Sequence, residues 1–573
     1  MTRTRSAMPA IPNSRLVAAL GLCALLLVSS GCAGVPPLNA WFVDSLAKVF
    51  PDDRMYQNRL REAKFEAARG AHLSIQLALR SDSGMGDLYV DALALTGPGM
   101  PIETLAVRRV EYVVVTSNTR STPDEELVRR APALFPDALL GGFPMTLEKG
   151  KTRAVWITLA VPHGQTPGTY HGTLVVRQGT EQLIRLPYTV EVKKAVIPAG
   201  IPLAVSNHFN FSDGHLEQFY GCSRYSGAWW DVIANHARFL SGYYQTSIAA
   251  NPVTLASARP TGGGLAYDFS NFVRFIQTFE AAGVKGHIEG GNLLFRERRR
   301  DAPIMVPAWV NEGGSAVLRN VSLSDPRASQ FLNSFLPALY KAVVEHGWKE
   351  RYLQSILDEP EPWEAAAFVS TAALVRKLMP GITVMEPVDA AQDLSFLEKT
   401  ADIWVVQLGT FDDRMELLRK HIDAGGQLWF YTALAPRGKY PNRFIDYSLL
   451  KTRILHWMNF KHGFRGYLHW GGNYWGPEPR KDTQPVINEG RTYLPPGDAY
   501  ITYPNVEGRS VHSSIRLEQM REGIEDYALL CELAKSDPNK AAAISGQAVR
   551  GFTGYVRDPA EFRAIHRSLL DSF

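Results

Sequence analysis

Two adjacent carboxylates, Asp358 and Glu359, follow the apolar run Leu353–Leu357 and precede Pro360 and Pro362. Proline has no N–H to give to a sheet, so a strand ends here. A buried strand that delivers acids to its carboxyl end is what acid–base chemistry on an α/β barrel requires. Strand neighbours point to opposite faces. Both acids therefore reach one pocket only if the chain turns after the strand, and Pro360 points to such a turn. The competing reading is that Asp-Glu-Pro does no more than cap a following helix, Glu364–Met379.

The elements around this stretch have to position it. Lys194–Pro202, with Pro198, Gly200 and Pro202, reads as a domain boundary. Beyond it strand-like and helix-like segments alternate. The strand candidates are Leu203–Phe209, Tyr244–Ala249, Val284–Ile288, Leu353–Leu357, Ile382–Met385, Ile403–Leu408, Leu428–Thr432 and Gly466–Trp470. Val284–Ile288 is expected to stop at Gly290-Gly291. Asp325-Pro326 opens a helix with an N-cap and a proline at its first position. Eight strands alternating with helices predict a TIM-like (β/α)8 barrel in the α/β class. A doubly wound open sheet is the alternative, but no Gly-x-Gly-x-x-Gly loop follows any strand.

The predicted strand ends are polar and aromatic: Asn207, His208 and Asn210; Glu289; Asp358 and Glu359; Glu386 and Asp389; Gln407; Tyr431; then His469, Trp470, Asn473, Tyr474 and Trp475. Polar groups gathered at one phase of the repeat favour the functional reading of the acid pair. Trp470 and Trp475, beside Gly471 and Gly472, suit a wall that stacks on a sugar face.

Before the boundary the pattern is that of strands. Val107–Val115, Ala154–Val161, Thr173–Val176 and Leu183–Val192 predict a β-sandwich. The first 32 residues read as an export signal. Arg3, Arg5 and Arg15 precede the 13-residue apolar run Leu16–Val28, too short to span a bilayer. The run ends Val-Ser-Ser-Gly-Cys32, which resembles a lipobox whose cysteine is acylated. Ser29 stands where that pattern prefers Leu, and a plain secretory signal is the alternative. Ala33 in place of Asp favours outer-membrane sorting. The expectation is an exported bacterial lipoprotein at the outer membrane or cell surface, held by a lipid on Cys32. The expected division is 1–32 signal peptide, 33–70 linker with a short helical lead-in, 71–197 β-sandwich, and 198–573 barrel with C-terminal helices.

Composition excludes little else. A net charge of +4 over 573 residues points to no nucleic-acid partner. No Cys/His spacing looks like a zinc site, and no cofactor is implied. Cys222 and Cys531 remain after the signal, and the sequence does not decide whether they pair. In the C-terminal helix, Ser513 to about Ala534, the stripe Leu517, Met520, Ile524, Tyr527 and Cys531 is apolar. Arg516, Glu518, Arg521, Glu522, Glu525 and Asp526 read as its solvated face, with a buried Arg–acid network as the alternative. Gly523 inside the helix predicts close packing.

Several stretches together resemble glycoside hydrolase family 123, the β-N-acetylgalactosaminidases. They are Leu357-Asp358-Glu359-Pro360, Trp429–Thr432 with Tyr440–Asp446, Gly466–Trp470 with Asn473–Trp475, and Arg516–Tyr527. Phe135-Pro136-Asp137 and Pro167–Tyr170 are similar to the family's accessory domain. The resemblance implies a substrate-assisted retaining mechanism, outside the usual two-carboxylate scheme. The 2-acetamido oxygen of the sugar would attack the anomeric carbon. Glu359 would be the general acid and then the base. Asp358 would hold the acetamido N–H and stabilise the oxazolinium, and Tyr431 would hydrogen-bond the acetamido oxygen. Trp470 and Trp475 would line the sugar subsite, with Asn442, Arg443 and Asn473 reading hydroxyls; His208 and Glu386 are further binding candidates. The partner is then a carbohydrate. Competing functions are a glycosidase of the same fold acting on a non-acetamido sugar, and a non-catalytic glycan-binding envelope lipoprotein.

Overall fold

The computed structural model describes residues 38–211, 214–296, 302–389, 394–411, 414–487 and 492–573. The signal segment and Cys32 lie outside them. Residues from Leu38 to Phe573 form one compact unit.

The C-terminal half is predicted to be a barrel, and a barrel it is. Its strands are β1 (Ala204–Asn207), β2 (Ile248–Ala249), β3 (Ile288–Asn292), β4 (Tyr352–Ser355), β5 (Thr383–Val388), β6 (Ile403–Gln407), β7 (Gln427–Tyr431) and β8 (Gly466–His469). All pairings are parallel, and β8 returns to β1. At the last seam, between β1 and β2, the N–H groups of Thr246 and Ser247 both donate to the Val205 carbonyl at 3.1 Å. Leu353, Met385, Ile403, Val405, Trp429 and Leu468 form a closed apolar cluster together with Ala204 and Tyr431. Such a layer fills a barrel's interior and leaves its mouth for chemistry.

Two strands differ from expectation. Only Ile248–Ala249 of the second candidate is extended as a strand. The third begins only at Ile288, the last residue of its candidate, and does not stop at Gly290-Gly291 but runs through a bulge to Asn292. Gly291 is left-handed, at φ 74°, and a Cβ on Gly290 would sit 2.0 Å from the Tyr352 hydroxyl oxygen. Glycine at both positions is what lets β3 bend beside β4.

The N-terminal half is a sandwich of two five-stranded sheets. Here the expected linker over 33–70 is corrected. Asn39–Val43 pairs with His72–Ser81 in one sheet, and Lys64–Arg69 pairs in parallel with Glu181–Val196 in the other. Both segments are short and carry polar residues, so periodicity alone does not reveal them. Leu73, Ile75, Leu77 and Leu79 face the sandwich core. The other face of the same strand is buried too, because the C-terminal helix Ile515–Ser536 lies against it.

That helix also overturns the solvated-face reading. Its charged residues are buried and paired. Arg516 makes two 2.8 Å bonds to Asp137, and its remaining donors reach the carbonyls of Arg443, Gly497 and Tyr500. Glu518 meets Arg108 at 2.8 Å and accepts from Tyr243 at 2.6 Å, and Arg521 also pairs with it. Glu522 and Glu525 accept from the backbone N–H groups of Ser74 and His72. Buried charges are tolerated only when so fully paired. A Cβ on Gly523 would lie 2.5 Å from the Arg453 carbonyl, so the helix crosses its neighbour Leu449–His462 closely there. Cys222 and Cys531 are both free thiols.

Candidate active site

The mouth of the barrel holds a cavity of about 580 Å³. Asp358, Glu359, Tyr431, Trp470 and His208 all line it. β4 ends at Ser355, and four residues later the chain turns at Glu359, whose φ is +45°. A bulky residue in the left-handed region costs roughly 1–3 kcal/mol and persists only where its surroundings fix it. This kink breaks the strand alternation and lets consecutive acids share one cavity. The following helix is capped without them: the Glu364 carboxylate accepts from the Glu361 N–H at 2.8 Å.

Four residues, Pro387, Arg296, Glu386 and Tyr431, fix the turn. The Glu359 N–H donates to the Pro387 carbonyl at 3.2 Å. Arg296 donates to the carbonyls of Asp358, at 2.8 Å, and Glu359, at 3.3 Å. The same guanidinium is anchored by the buried Glu364 at 3.3 Å. Glu386 accepts from the Ile356 N–H at 2.8 Å, just upstream. Finally, the Tyr431 hydroxyl donates to Glu359 Oε1.

Burial raises the Glu359 carboxyl above its ordinary value, the Asp358 charge raises it further, and the Tyr431 bond pulls it partly back. Asp358 lines the cavity and is exposed there, and the surrounding protein raises its carboxyl as well, with Arg296 and His208 restraining the shift. Burial, then the neighbouring Glu359, pushes the Tyr431 phenol well up, so its hydroxyl stays a donor. His208 Nε2 lies 2.9 Å from Glu289 Oε2. Burial alone would raise Glu289; His208, with Ser206 and Ser247, outweighs it and holds the carboxyl below its usual range. A carboxyl raised above its ordinary value beside a second carboxyl, with a phenol bonded to it, is equipped for proton transfer to a leaving oxygen.

Five expected binding residues do not line the cavity. Trp475 is buried against His215 and Phe219, and its N–H donates to the Thr502 carbonyl at 2.7 Å. Tyr474, one position earlier, takes the wall instead, its ring 5.0 Å from that of Trp470. Asn473 is buried and bonded to both backbone groups of Asn210. Asn442 ties the carbonyls of Ala433 and Pro436. Arg443 is spent on Asn207 and the Gly471 carbonyl. Glu386 is fully buried behind the turn, and burial pushes its carboxyl well above the ordinary value. These residues hold the loops after β4, β7 and β8 in place rather than facing a ligand.

Sequence reasoning missed other groups. Trp470 donates to Asp498 Oδ2 at 3.2 Å, so a buried acid from a distant loop aims the aromatic wall. Arg296 belongs to the insert after β3, which forms a three-stranded antiparallel sheet; one of four arginines within five residues carries no signal by itself. Among the described residues no group of His, Cys, Asp and Glu is arranged to hold a metal ion.

Comparison with known proteins agrees with this geometry. Residues 217–533 match the family model for the glycoside hydrolase 123 catalytic domain, and residues 51–178 match that for the glycoside hydrolase 123 N-terminal domain. No curated protein matches the chain. Among solved structures, a family 123 glycoside hydrolase from Clostridium perfringens, described in terms of glycolipid glycan hydrolysis, superposes with a TM-score of 0.72 at 16% identity, covering 93% of this chain and 96% of that one. A family 39 glycoside hydrolase from Bacteroides cellulosilyticus WH2 gives a TM-score of 0.34 at 9% identity, covering 81% of this chain and 82% of that one. A sandwich docked on a barrel, an acid turn at the end of β4 and family models matched over both halves lead to one conclusion: the chain belongs to glycoside hydrolase family 123.

Proposed function

We propose that this glycosidase removes a β-linked N-acetylgalactosamine, or a related 2-acetamido sugar, by a substrate-assisted retaining mechanism. The observation that carries the reading is the pair Asp358 and Glu359 facing one cavity, with Tyr431 bonded to Glu359. Glu359 gives its proton to the leaving oxygen while the acetamido oxygen attacks the anomeric carbon. Asp358 accepts from the acetamido N–H and stabilises the oxazolinium charge. Glu359 then takes a proton from the water that opens the ring.

Tyr431 couples binding to this chemistry. A hydroxyl has one proton to donate. When that proton turns from Glu359 to the acetamido oxygen, Glu359 loses the bond that lowers its pKa and becomes easier to keep protonated. Trp470 and Tyr474 stack on the sugar. The chain is further proposed to be an exported lipoprotein acylated at Cys32; labelled palmitate incorporated by cells expressing the protein, and lost in Cys32→Ser, is the expected result.

The test is hydrolysis of aryl β-glycosides by the purified protein, comparing 2-acetamido galactosides and glucosides with plain galactosides. Release from an acetamido substrate, with retention at the anomeric carbon, is expected. Turnover of plain galactosides alone would assign Asp358 another task, and sugar binding without turnover would make the protein a lectin.

A further inference from the structure

The cavity has room beyond a single sugar ring, and its far side carries a cation. Arg224, on the connection between β1 and β2, lines the cavity together with Asn251 and Thr254, which follow β2. Its guanidinium stacks over Tyr225, at 5.0 Å, and Trp229, at 5.9 Å. Among the described residues it donates one long hydrogen bond, 3.5 Å from Nη1 to the Phe211 carbonyl. Among the described residues Arg224 is in no ion pair.

A guanidinium stacked on rings has its faces occupied and its in-plane N–H donors free, already aligned in a fork. That fork matches a carboxylate or sulfate bidentately, and the charge cannot be lost near neutral pH. The rest of the cavity makes the arrangement directional. Asp358 and Glu359 occupy the β4 side, and Glu289 is bonded to His208. An anionic group is repelled from the acid side and attracted to Arg224. We propose that Arg224 forms a subsite for an anionic substituent, a carboxylate or a sulfate, on the glycan unit next to the sugar cleaved at Asp358 and Glu359. This rests on the glycosidase reading above.

The test compares matched disaccharide substrates that differ only in the second unit: neutral, carboxylated or sulfated. The readout is the ratio of kcat/KM for the anionic member to that for the neutral one. The wild type is expected to favour one anionic member by about tenfold, the worth of one charge-assisted interaction, and to lose the preference in high salt. Arg224→Ala should bring the ratio to about one, and Arg224→Lys should leave it intermediate. The carboxylated and sulfated arms tell which anion the subsite takes. A wild-type ratio near one, or a fall in Arg224→Ala that strikes neutral and anionic substrates equally, would overturn the inference while leaving the glycosidase reading intact. Failure of every substrate, neutral included, would instead defeat that reading and this inference with it.

Discussion

The Tyr431 hydroxyl, at the end of β7, donates to Oε1 of Glu359, three strands away around the barrel. It links the aromatic side of the cavity to the acid turn. Because the bond lowers the Glu359 pKa, its loss has a definite sign. Tyr431→Phe should move the alkaline limb of kcat/KM to higher pH, since the unbonded acid holds its proton longer. It should also lower kcat about tenfold or more, through the lost acetamido contact. A pH–rate profile checks both, and an unmoved limb would place the proton donor elsewhere.

Arg296 acts on the reaction through the backbone. Arg296→Ala frees the carbonyls of Asp358 and Glu359 and leaves the buried Glu364 without its cation. The expected result is a kcat lowered about 10–100-fold with KM changed little, because positioning errors at reacting groups cost the transition state more than the ground state. Arg296→Lys should recover part of the loss. Equal loss in both variants, with a matching drop in melting temperature, would mean a purely structural role.

Asp498 steers Trp470, and burial raises its carboxyl to about 7. Asp498→Leu removes the acceptor of the indole N–H and should raise KM several-fold with kcat less affected. Trp470→Ala should show the same pattern more strongly. Steady-state kinetics with an acetamido aryl glycoside separates the two constants.

The buried helix predicts acid sensitivity. Burial alone would raise Glu518, but Arg521 and Arg108 outweigh it and, with Tyr243, hold its carboxyl down to about 2. A depressed acid stabilises the fold above its unfolded pKa, near 4.5, and that contribution is lost as pH falls from there toward 2. Denaturant midpoints should therefore fall through this window in the wild type and fall less steeply in Glu518→Gln, which starts from a lower stability. Arg516→Met should cost about 3–5 kcal/mol by leaving Asp137 buried and unpaired.

What the sequence made legible follows from how local each signal is. The acid turn was readable because an apolar run, two acids and two prolines fall within ten residues. Barrel strands were readable because each is short, apolar and flanked by a helix pattern. Strand-end position told which residues lie near the mouth, but not which way a side chain points once the strand has ended. Hence Trp475 and Asn473 turned out to be loop ties, and Tyr474 stands at the cavity. The charged face of Ile515–Ser536 looked solvated because its partners, Asp137 and Arg108, lie more than 370 residues earlier. The strands at Asn39–Val43 and Lys64–Arg69 likewise depend on distant partners for their burial.

The leaving group offers the sharpest single measurement. Hydrolysis by Glu359→Gln should be compared on two acetamido glycosides, one releasing a poor leaving group such as a sugar alcohol and one releasing a dinitrophenol. If Glu359 protonates the departing oxygen, the variant loses at least ~100-fold on the first and far less on the second, because a nitrophenolate leaves without a proton. An equal loss on both substrates, or none on the first, would contradict that role.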